Sequence, residues 1–227
     1  MSTLTIWRKG GKIKDKGAGR IKTLPYREKL EVIPMIRIAT EADIPEMLAI
    51  YGPYVENTAY SFEYTVPTRE VFTQRFQNYT RQMPWLVWEE EGRVLGYAYG
   101  SLPFTRSAYA WCGEVSIYLA PQIHGKGIGR KLYVVLEEIM WRQGYRVIYS
   151  LITTENEGSR IFHEKLGYTQ TAVFPNCGFK FGRWLGIVWM EKRTNAAENP
   201  AFSPVSWRSI VEDDRKFIKI LDTLSLS

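Results

Sequence analysis

The sequence is poor in the residues that build metal and disulfide sites. Its 227 residues include two cysteines and two histidines. Cys112 and Cys177 stand far apart, and neither belongs to a Cys-x-x-Cys or Cys/His cluster. The pattern therefore suggests no metal site, and it favours a compartment in which thiols stay reduced.

Long apolar runs are also missing. The first residues, Met-Ser-Thr-Leu-Thr-Ile-Trp-Arg-Lys, lack the apolar core of a signal peptide. No uninterrupted apolar run approaches the roughly 20 residues that a bilayer-spanning helix needs. The sequence thus predicts a cytoplasmic protein with no membrane partner.

The net charge of +6 is concentrated at one end. Residues 1–34 hold nine Lys/Arg and three Asp/Glu, which leaves 21 of each sign in residues 35–227. This arm has few apolar positions and cannot bury enough surface to fold independently. We predict a basic, flexible extension over 1–34, and contact with nucleic acid is expected only through it, if at all. An alternative start at Met35 stays open.

Alternating strand and helix patterns occupy residues 35–194, the predicted folded domain. Such alternation favours an α/β sheet. Predicted helices follow Thr40 and Thr68 and cover 130–143 and 159–166. Predicted strands cover 35–39, 85–88, 94–99, 111–119, 147–151, 168–174 and 184–190. Five tryptophans in strand patterns are interpreted as packing residues: Trp85, Trp88, Trp111, Trp184 and Trp189.

A linker and an apolar stripe follow in residues 195–227. The linker pattern covers 195–200, and the stripe has the spacing of an amphipathic helix. The stripe must pack against the core, a second copy or a partner. Its members are Trp207, Ile210, Val211, Phe217, Ile218, Leu221 and Leu224.

A glycine-rich loop joins the strand that begins at Glu114 to the next helix. Gly125, Gly127 and Gly129 allow a ligand to approach the backbone, and the following helix points free N–H groups at an anion. The loop is not a Walker loop, because Lys126 is followed by glycine rather than Ser or Thr. The order of strand, glycines and helix predicts a phosphate cradle.

This block resembles the acyl-CoA signature of the GNAT superfamily of N-acetyltransferases, Gln/Arg-x-x-Gly-x-Gly/Ala. His124 takes the Gln/Arg position in the preferred register, because the helix from Arg130 then follows directly. The alternative register, Gln122-x-x-Gly125-x-Gly127, fits the formula literally but shifts the loop towards the strand. The resemblance implies acetyl-CoA as cosubstrate and a mixed, mostly antiparallel twisted sheet with helices on both faces. It implies these cofactor-binding residues: Ile117, Tyr118, Leu119, His124, Gly125, Lys126, Gly127, Ile128, Gly129, Arg130, Asn156 and Ser159.

More specifically, residues 35–193 resemble the phosphinothricin N-acetyltransferase family. That family commonly has Asp after the Trp-Leu pair, where this chain has Gly186. The matching blocks are Ala59–Glu63, Pro103–Tyr109, the Glu114 strand, Asn156-x-x-Ser159-x-x-x-His163-Glu164 and Gly182–Leu185. A homodimer is a further implication of this resemblance.

The resemblance also implies catalytic roles. Glu114 matches a glutamate thought to take the proton from the attacking amine through water, and its plainer interpretation is a surface Glu. His163 is the candidate acid for the leaving thiolate, with a helix-surface histidine as the alternative. Asn156 and Ser159 contact the cofactor or cap a helix, and both tasks are compatible.

Acceptor binding is assigned to Phe62, Arg106 and Tyr109. Arginine suits a carboxylate or phosphinate through two parallel hydrogen bonds, whereas Phe62 walls the pocket or fills core. We predict acetyl transfer by direct attack, in a ternary complex, on a small amino-acid-like acceptor of the phosphinothricin or methionine sulfone/sulfoximine type. Open alternatives are a protein N-terminal or polyamine acetyltransferase and a non-catalytic CoA-binding module.

Overall fold

The structure, a computed structural model, describes residues 34–194 and 203–212. The strands are β1 Met35–Ile38, β2 Trp85–Glu90, β3 Arg93–Ser101, β4 Cys112–Leu119, β5 Val147–Thr153, β6 Thr169–Lys180 and β7 Arg183–Arg193. The helices are α1 Ile44–Asn57, α2 Arg69–Tyr79, α3 Ile128–Gln143, α4 Glu157–Lys165 and α5 Trp207–Val211. Within the two predicted extensions, 1–33, 195–202 and 213–227 lie outside the described residues.

The seven strands form one sheet in the order β1-β2-β3-β4-β5-β7-β6. All neighbouring pairs are antiparallel except β4 and β5. Successive strand residues point to opposite faces. Leu86 accordingly packs in a core cluster with α3, whereas Val87 packs in a second cluster with α1 and α2. The predicted α/β sheet with helices on both faces is confirmed.

Local signals position the helices. The side chain of Thr68 accepts a hydrogen bond from Val71 N at 3.3 Å and caps α2. Gly144 adopts φ +107 and ends α3 in the left-handed conformation that suits glycine. The start of α3 differs from the prediction, since Gly127 at φ +77 is its N-cap and the helix begins at Ile128 rather than Arg130.

The parallel pair β4–β5 is very short. Cys112 pairs with Val147, and pairing ends where Glu114 meets Tyr149. Beyond this point β4 stays paired with β3, whereas β5 pairs with β7. The two central strands therefore diverge, and alternate backbone groups of residues 115–119 face the opening between them.

The described part of the C-terminal region packs against this core. Trp207 is buried in the α3 cluster, and its indole N–H donates to Thr80 O at 2.8 Å. Ile210 and Val211 pack against the same cluster. Of the three destinations open for the apolar stripe, its first three members take the core of their own chain, and its other members lie outside the described residues.

The tryptophans are not all core residues. Trp85 is 1% exposed and stacks on Tyr97 and Tyr99. Trp184 is 63% exposed, so its interpretation as a packing residue is wrong. It lies next to the β6–β7 turn, where only Phe179 contacts its ring among the aromatic side chains of the described residues.

Candidate active site

The cleft between the diverging strands gathers residues from five elements and one loop. It encloses about 70 Å³ and is lined by α1, β4, α3, β5 and the start of α4, together with Tyr60 of the α1–α2 loop. The predicted residues that it brings together are Ile117, Tyr118, Asn156, Ser159 and His163. Because alternate β4 amides face this cleft without a strand partner, it can accept an extended chain that forms backbone hydrogen bonds.

The loop at the end of β4 opens directly into α3. Gly125 and Gly127 both adopt positive φ, at +73 and +77. The first turn of α3 carries Arg130 and no acidic residue, which is opposite to the usual preference at a positive helix end. Cations at this end are favourable when an anion binds between them and the free N–H groups. The site therefore suits a pyrophosphate.

Gly129 is required for packing rather than for a turn. A Cβ atom there would lie 3.3 Å from Cδ1 of Leu119 and 3.4 Å from Cδ1 of Ile117. The missing side chain lets the start of α3 approach the end of β4 closely. It thereby brings the helix N-terminus to the mouth of the cleft.

The side chain of His124 turns back onto the strand. Its Nε2 lies 3.0 Å from Leu119 O and 3.2 Å from the hydroxyl of Tyr54. The Tyr54 hydroxyl donates to the Leu119 carbonyl at 2.6 Å. The same hydroxyl accepts a long hydrogen bond from Leu119 N at 3.4 Å. His124 therefore anchors the loop to β4 and α1, and the backbone of Leu119 is already engaged. Sequence reasoning did not identify Tyr54.

Glu114 lies at the point where β4 and β5 part. Its carboxylate has no hydrogen-bond or ion-pair partner within residues 34–194 and 203–212. Burial raises the pKa of Glu114 to about 7, because the charged form is poorly solvated there. A carboxylate with this pKa is half ionised near neutrality, and this is the favourable range for a general base.

His163 is buried against the side chain of Tyr133, a residue that sequence reasoning did not identify. Its Nδ1 lies 2.8 Å from Ser159 O and donates to that carbonyl, so Nε2 accepts from the Tyr133 hydroxyl at 3.1 Å. Burial lowers the pKa of His163 to about 4, despite the opposing effect of the bond to Ser159. The ring is therefore neutral at pH 7, and it is not the surface histidine that was weighed as the alternative.

Asn156 and Ser159 form the N-terminus of α4. Oδ1 of Asn156 accepts from Ser159 N at 3.1 Å and caps the helix. Both residues also line the cleft. The capping role is thus present, and both residues remain part of the cleft wall, with the Ser159 hydroxyl 3.4 Å from Nδ1 of His163.

Arg106 and Tyr109 lie apart from the cleft, on the β3–β4 loop. They line two cavities, one of about 320 Å³ formed by residues 103–109 and one of about 390 Å³ that reaches residues 203–206. Neither cavity shares a lining residue with the cleft. The ring of Phe104 on this loop contacts Tyr149, the partner of Glu114 in the sheet, with centroids 6.0 Å apart.

Phe62 is held against the β6–β7 hairpin rather than in the core. A Cβ atom on Gly178 would lie only 2.3 Å from Cε2 of Phe62, so the ring occupies the space that this glycine leaves. Lys180, 3% exposed, donates to the carbonyl oxygens of Val55, Thr58 and Ser61 at 2.7, 2.9 and 2.6 Å. Lys180 thus ties the loop that carries Phe62 to the hairpin.

Gly186 also has a packing reason. A Cβ atom there would lie 3.0 Å from Cγ2 of Thr154 and 3.1 Å from Phe174 O. A side chain at this position, such as the aspartate common in the resembled family, would require these neighbours to shift by a few tenths of an ångström. Gly186 therefore allows the close approach of β7 to Thr154 and to the β6 backbone.

The described residues contain neither a metal-binding cluster nor a helix suited to span a membrane. No cluster of three or more His, Cys, Asp or Glu side chains able to bind a metal occurs in 34–194 or 203–212. None of the helices in those ranges combines the length and apolar character that a bilayer crossing requires. Cys112 and Cys177 are both free.

Comparison with known sequences agrees with this geometry. Residues 36–189 match the sequence model of the acetyltransferase (GNAT) domain. Phosphinothricin N-acetyltransferase of Alcaligenes faecalis is 35% identical over 168 residues, which are 72% of this chain and 84% of that protein. L-Methionine sulfoximine/L-methionine sulfone acetyltransferase of Salmonella typhimurium is 36% identical over 157 residues, 69% of this chain and 92% of that protein.

A solved structure shares both fold and sequence. The phosphinothricin acetyltransferase of Sinorhizobium meliloti, crystallised in complex with AcCoA, has a TM-score of 0.72 and 32% sequence identity. The match covers 75% of this chain and 95% of that protein. The fold observed here is therefore one that holds acetyl-CoA in a relative.

Proposed function

The chain belongs to the GNAT family and is an acetyl-CoA-dependent N-acyltransferase that acts on amino-acid-like substrates, and we propose that its acceptors are of the phosphinothricin or methionine sulfone/sulfoximine type. The observation that carries the proposal is the position of Glu114, a half-buried carboxylate that has no partner among the described residues and directly precedes the β4 residues that line the cleft. The identity of the relatives supports the choice of acceptor.

The cofactor site is built from backbone and helix. We propose that the cleft-facing backbone groups of β4 at residues 117–118 bind the pantetheine chain, while Gly125–Arg130 binds the pyrophosphate. Lys126 and Arg130 are exposed beside that helix N-terminus and supply positive charge. Acetyl-CoA, when bound, supplies an acetyl thioester whose carbonyl carbon forms the new C–N bond as the C–S bond breaks.

Glu114 takes the proton that the acceptor must lose. An amine attacks only in its unprotonated form, and a carboxylate with a pKa near 7 removes the proton, through water, at neutral pH. We propose direct attack in a ternary complex. Neither cysteine serves as nucleophile in this scheme, since neither Cys112 nor Cys177 lines the cleft.

The proton for the departing sulfur is assigned to a pair of residues. Neutral His163 holds its one N–H proton on the carbonyl of Ser159, so its Nε2 acts as an acceptor. We therefore propose that the Tyr133 hydroxyl, which lines the same cleft, carries the proton and that His163 positions it. This refines the acid role that the resemblance implied for His163.

Arg106, Tyr109 and Phe62 are proposed to bind the acceptor from two loops. The Phe104 ring on the β3–β4 loop contacts Tyr149, which pairs with Glu114 in the sheet, and this contact supports an acceptor whose acid group lies near Arg106 and whose amine lies near Glu114. Phe62 approaches from the α1–α2 loop.

The test is acetyl-CoA-dependent thiol release by the full chain against a panel of amines. We expect turnover with phosphinothricin, methionine sulfone or methionine sulfoximine, and little with polyamines or peptides. Turnover only with peptides or polyamines would replace the acceptor, and acetyl-CoA binding with no turnover on any amine would favour a non-catalytic CoA-binding module.

A substitution at Gly178 separates acceptor binding from cofactor binding. In Gly178→Ala the new methyl group displaces the Phe62 ring, and the KM for the acceptor is expected to rise about tenfold, the equivalent of about 1.4 kcal/mol, with the KM for acetyl-CoA unchanged. Steady-state kinetics with each substrate varied in turn gives both constants.

The control is Gly52→Ala, where a Cβ atom meets Val66 at an ordinary 3.7 Å. Gly178→Ala added to Phe62→Ala should have no further effect, because the displaced ring is already absent. Additive losses in the double variant would contradict the placement of Phe62 in the acceptor site.

We also propose a homodimer. Strand β6 is a twelve-residue edge of the sheet, and an exposed edge of this length favours pairing with another chain. Its exposed apolar residues include Val173, Phe174 and Phe179. A basic arm that contacts nucleic acid would use residues 1–34, of which 1–33 lie outside the described residues.

A further inference from the structure

The last residue of β4 turns its backbone groups towards the cleft. In an antiparallel pair of strands, hydrogen-bonded and non-hydrogen-bonded residue pairs alternate. Ala120 N donates to Leu95 O at 2.8 Å, so Ala120 is bonded towards β3. Leu119 lies opposite Gly96 in the preceding, non-hydrogen-bonded pair, and its N–H and C=O therefore point away from β3 and into the cleft.

The same alternation makes Ile117 the preceding residue whose backbone groups face the cleft. Strand β5 pairs with β4 only as far as Glu114, so no strand partner takes the N–H and C=O of Ile117 within residues 34–194 and 203–212. Ile117 is closer to Glu114 than Leu119 is, by two residues or about 6.7 Å of strand. These two residues are the alternative positions at which an extended ligand pairs with this edge.

Tyr54 closes one of the two positions. Its hydroxyl donates to Leu119 O at 2.6 Å and accepts from Leu119 N at 3.4 Å, so a single oxygen engages both backbone groups. The Tyr54 ring packs edge-on against Tyr118, with centroids 5.2 Å apart, and lines the cleft. The edge of β4 is therefore closed at Leu119 and open at Ile117.

The available backbone groups determine the register of a chain that pairs with a sheet edge. The pantetheine arm of acetyl-CoA is an extended chain with two amide groups, and it pairs with β4 as a strand would. Pairing at Leu119 would leave the thioester short of Glu114 by the spacing of two strand residues. Because the hydroxyl of Tyr54 occupies Leu119, this unproductive register is excluded.

We propose that Tyr54 is a positioning residue for acetyl transfer, because it confines the pantetheine arm to the register that begins at Ile117. The inference rests on the acetyl-CoA site proposed above, and it adds a residue of α1 that lies outside the glycine-rich signature. Leu119 then contributes to the site as the closed end of the strand, and the arm binds at Ile117, on the side of Glu114.

The experiment compares Tyr54→Phe with the matched control Tyr51→Phe in the full chain. Tyr51 lies one turn earlier on α1, and its ring also packs against Tyr118, with centroids 4.8 Å apart. Its hydroxyl, however, bonds to Ser61 Oγ at 2.7 Å and not to β4. Each substitution keeps the ring and removes one hydroxyl, so both variants should fold with similar stability, which urea unfolding measures.

In Tyr54→Phe we expect kcat to fall about tenfold or more, because the thioester of a shifted cofactor lies too far from Glu114. The dissociation constant of acetyl-CoA, measured by titration calorimetry, should not rise, since the variant offers more free backbone groups. Crystal structures with CoA should place the sulfur beside Glu114 in the parent and, in part of the Tyr54→Phe molecules, two strand residues nearer the glycine-rich loop. Tyr51→Phe should match the parent in all three measurements.

The outcomes separate the register role from its alternatives. A weaker affinity for acetyl-CoA with unchanged kcat in Tyr54→Phe would make Tyr54 a direct cofactor ligand and overturn the register role. Identical kcat and sulfur position in Tyr54→Phe and the parent, or an equal loss of kcat in Tyr51→Phe, would overturn it as well. Failure of the parent to bind acetyl-CoA would overturn the proposed cofactor site and this inference together, and it is recognised in the parent alone.

Discussion

Glu114→Gln is expected to lower turnover at pH 7 by about 10²- to 10⁴-fold, the usual contribution of a positioned general base. The amide keeps the size of the side chain but accepts no proton. Because the variant still presents the same cleft, its affinity for acetyl-CoA should not change. Stopped-flow or steady-state thiol release, together with calorimetry of acetyl-CoA, measures both quantities.

The pH profile gives a sharper test of the same residue. The parent should gain kcat/KM as pH rises through about 7, where burial has placed the pKa of Glu114. In Glu114→Gln that inflection disappears, and activity recovers in part at alkaline pH, where the acceptor amine loses its proton unaided. Glu138→Gln, on the exposed side of α3, is the control. Retention of the parental inflection in Glu114→Gln would remove Glu114 from the base role.

The second large effect concerns stability and pH. Burial lowers the pKa of His163 from 6.5 to about 4. Between pH 4 and 6.5 His163 is therefore protonated in the unfolded chain but neutral in the native state. Stability from this residue is therefore lost as pH falls, by about 3 kcal/mol in all. In His163→Gln, stability relative to the parent should fall by that amount as pH rises from 4 to 6.5.

Glu114 has the opposite effect on the pH dependence of stability. Its pKa rises from 4.5 to about 7, so the native state keeps a proton that the unfolded chain loses, and stability is lost as pH rises through that window. In Glu114→Gln, stability relative to the parent should rise by about 3 kcal/mol between pH 4.5 and 7. In the parent the two residues offset each other from about pH 4.5 to 6.5.

Urea unfolding at several pH values measures these slopes. The stabilities of the two single variants relative to the parent should change with pH in opposite directions, and the double variant should run parallel to the parent between about pH 4.5 and 6.5. Parallel curves for all four proteins would show that neither side chain is desolvated as the structure places it.

Short-range signals allowed much of the fold to be predicted. Thr68 caps the start of α2 and Gly144 ends α3, both with the expected geometry. Gly92 forms the turn of the β2–β3 hairpin at φ +74. These features depend on neighbours in the chain. The same is true of the glycines that precede α3.

The rest of the site depends on contacts between distant residues. The separation of β4 and β5 after Glu114 follows from the competing β5–β7 pairing, which periodicity does not encode. Nothing in the neighbouring sequence singles out Lys180, because its three acceptors lie about 120 positions away. In the sequence Tyr133 is an ordinary core residue of α3. Its contact with His163, 30 positions away, is visible only in the structure.

The crowding around Gly186 limits how this enzyme can change its specificity. The atoms that exclude a side chain at Gly186 include Phe174 O and Cα of Pro175, which are backbone atoms of β6. Trimming Thr154 alone would therefore leave the backbone contacts in place. The register of β6 shifts between Phe174 and Gly178, next to these contacts. A side chain at position 186 is consequently expected to require a small movement of the β6 backbone in the same hairpin, so that substitutions at position 186 and in residues 174–178 should affect one another.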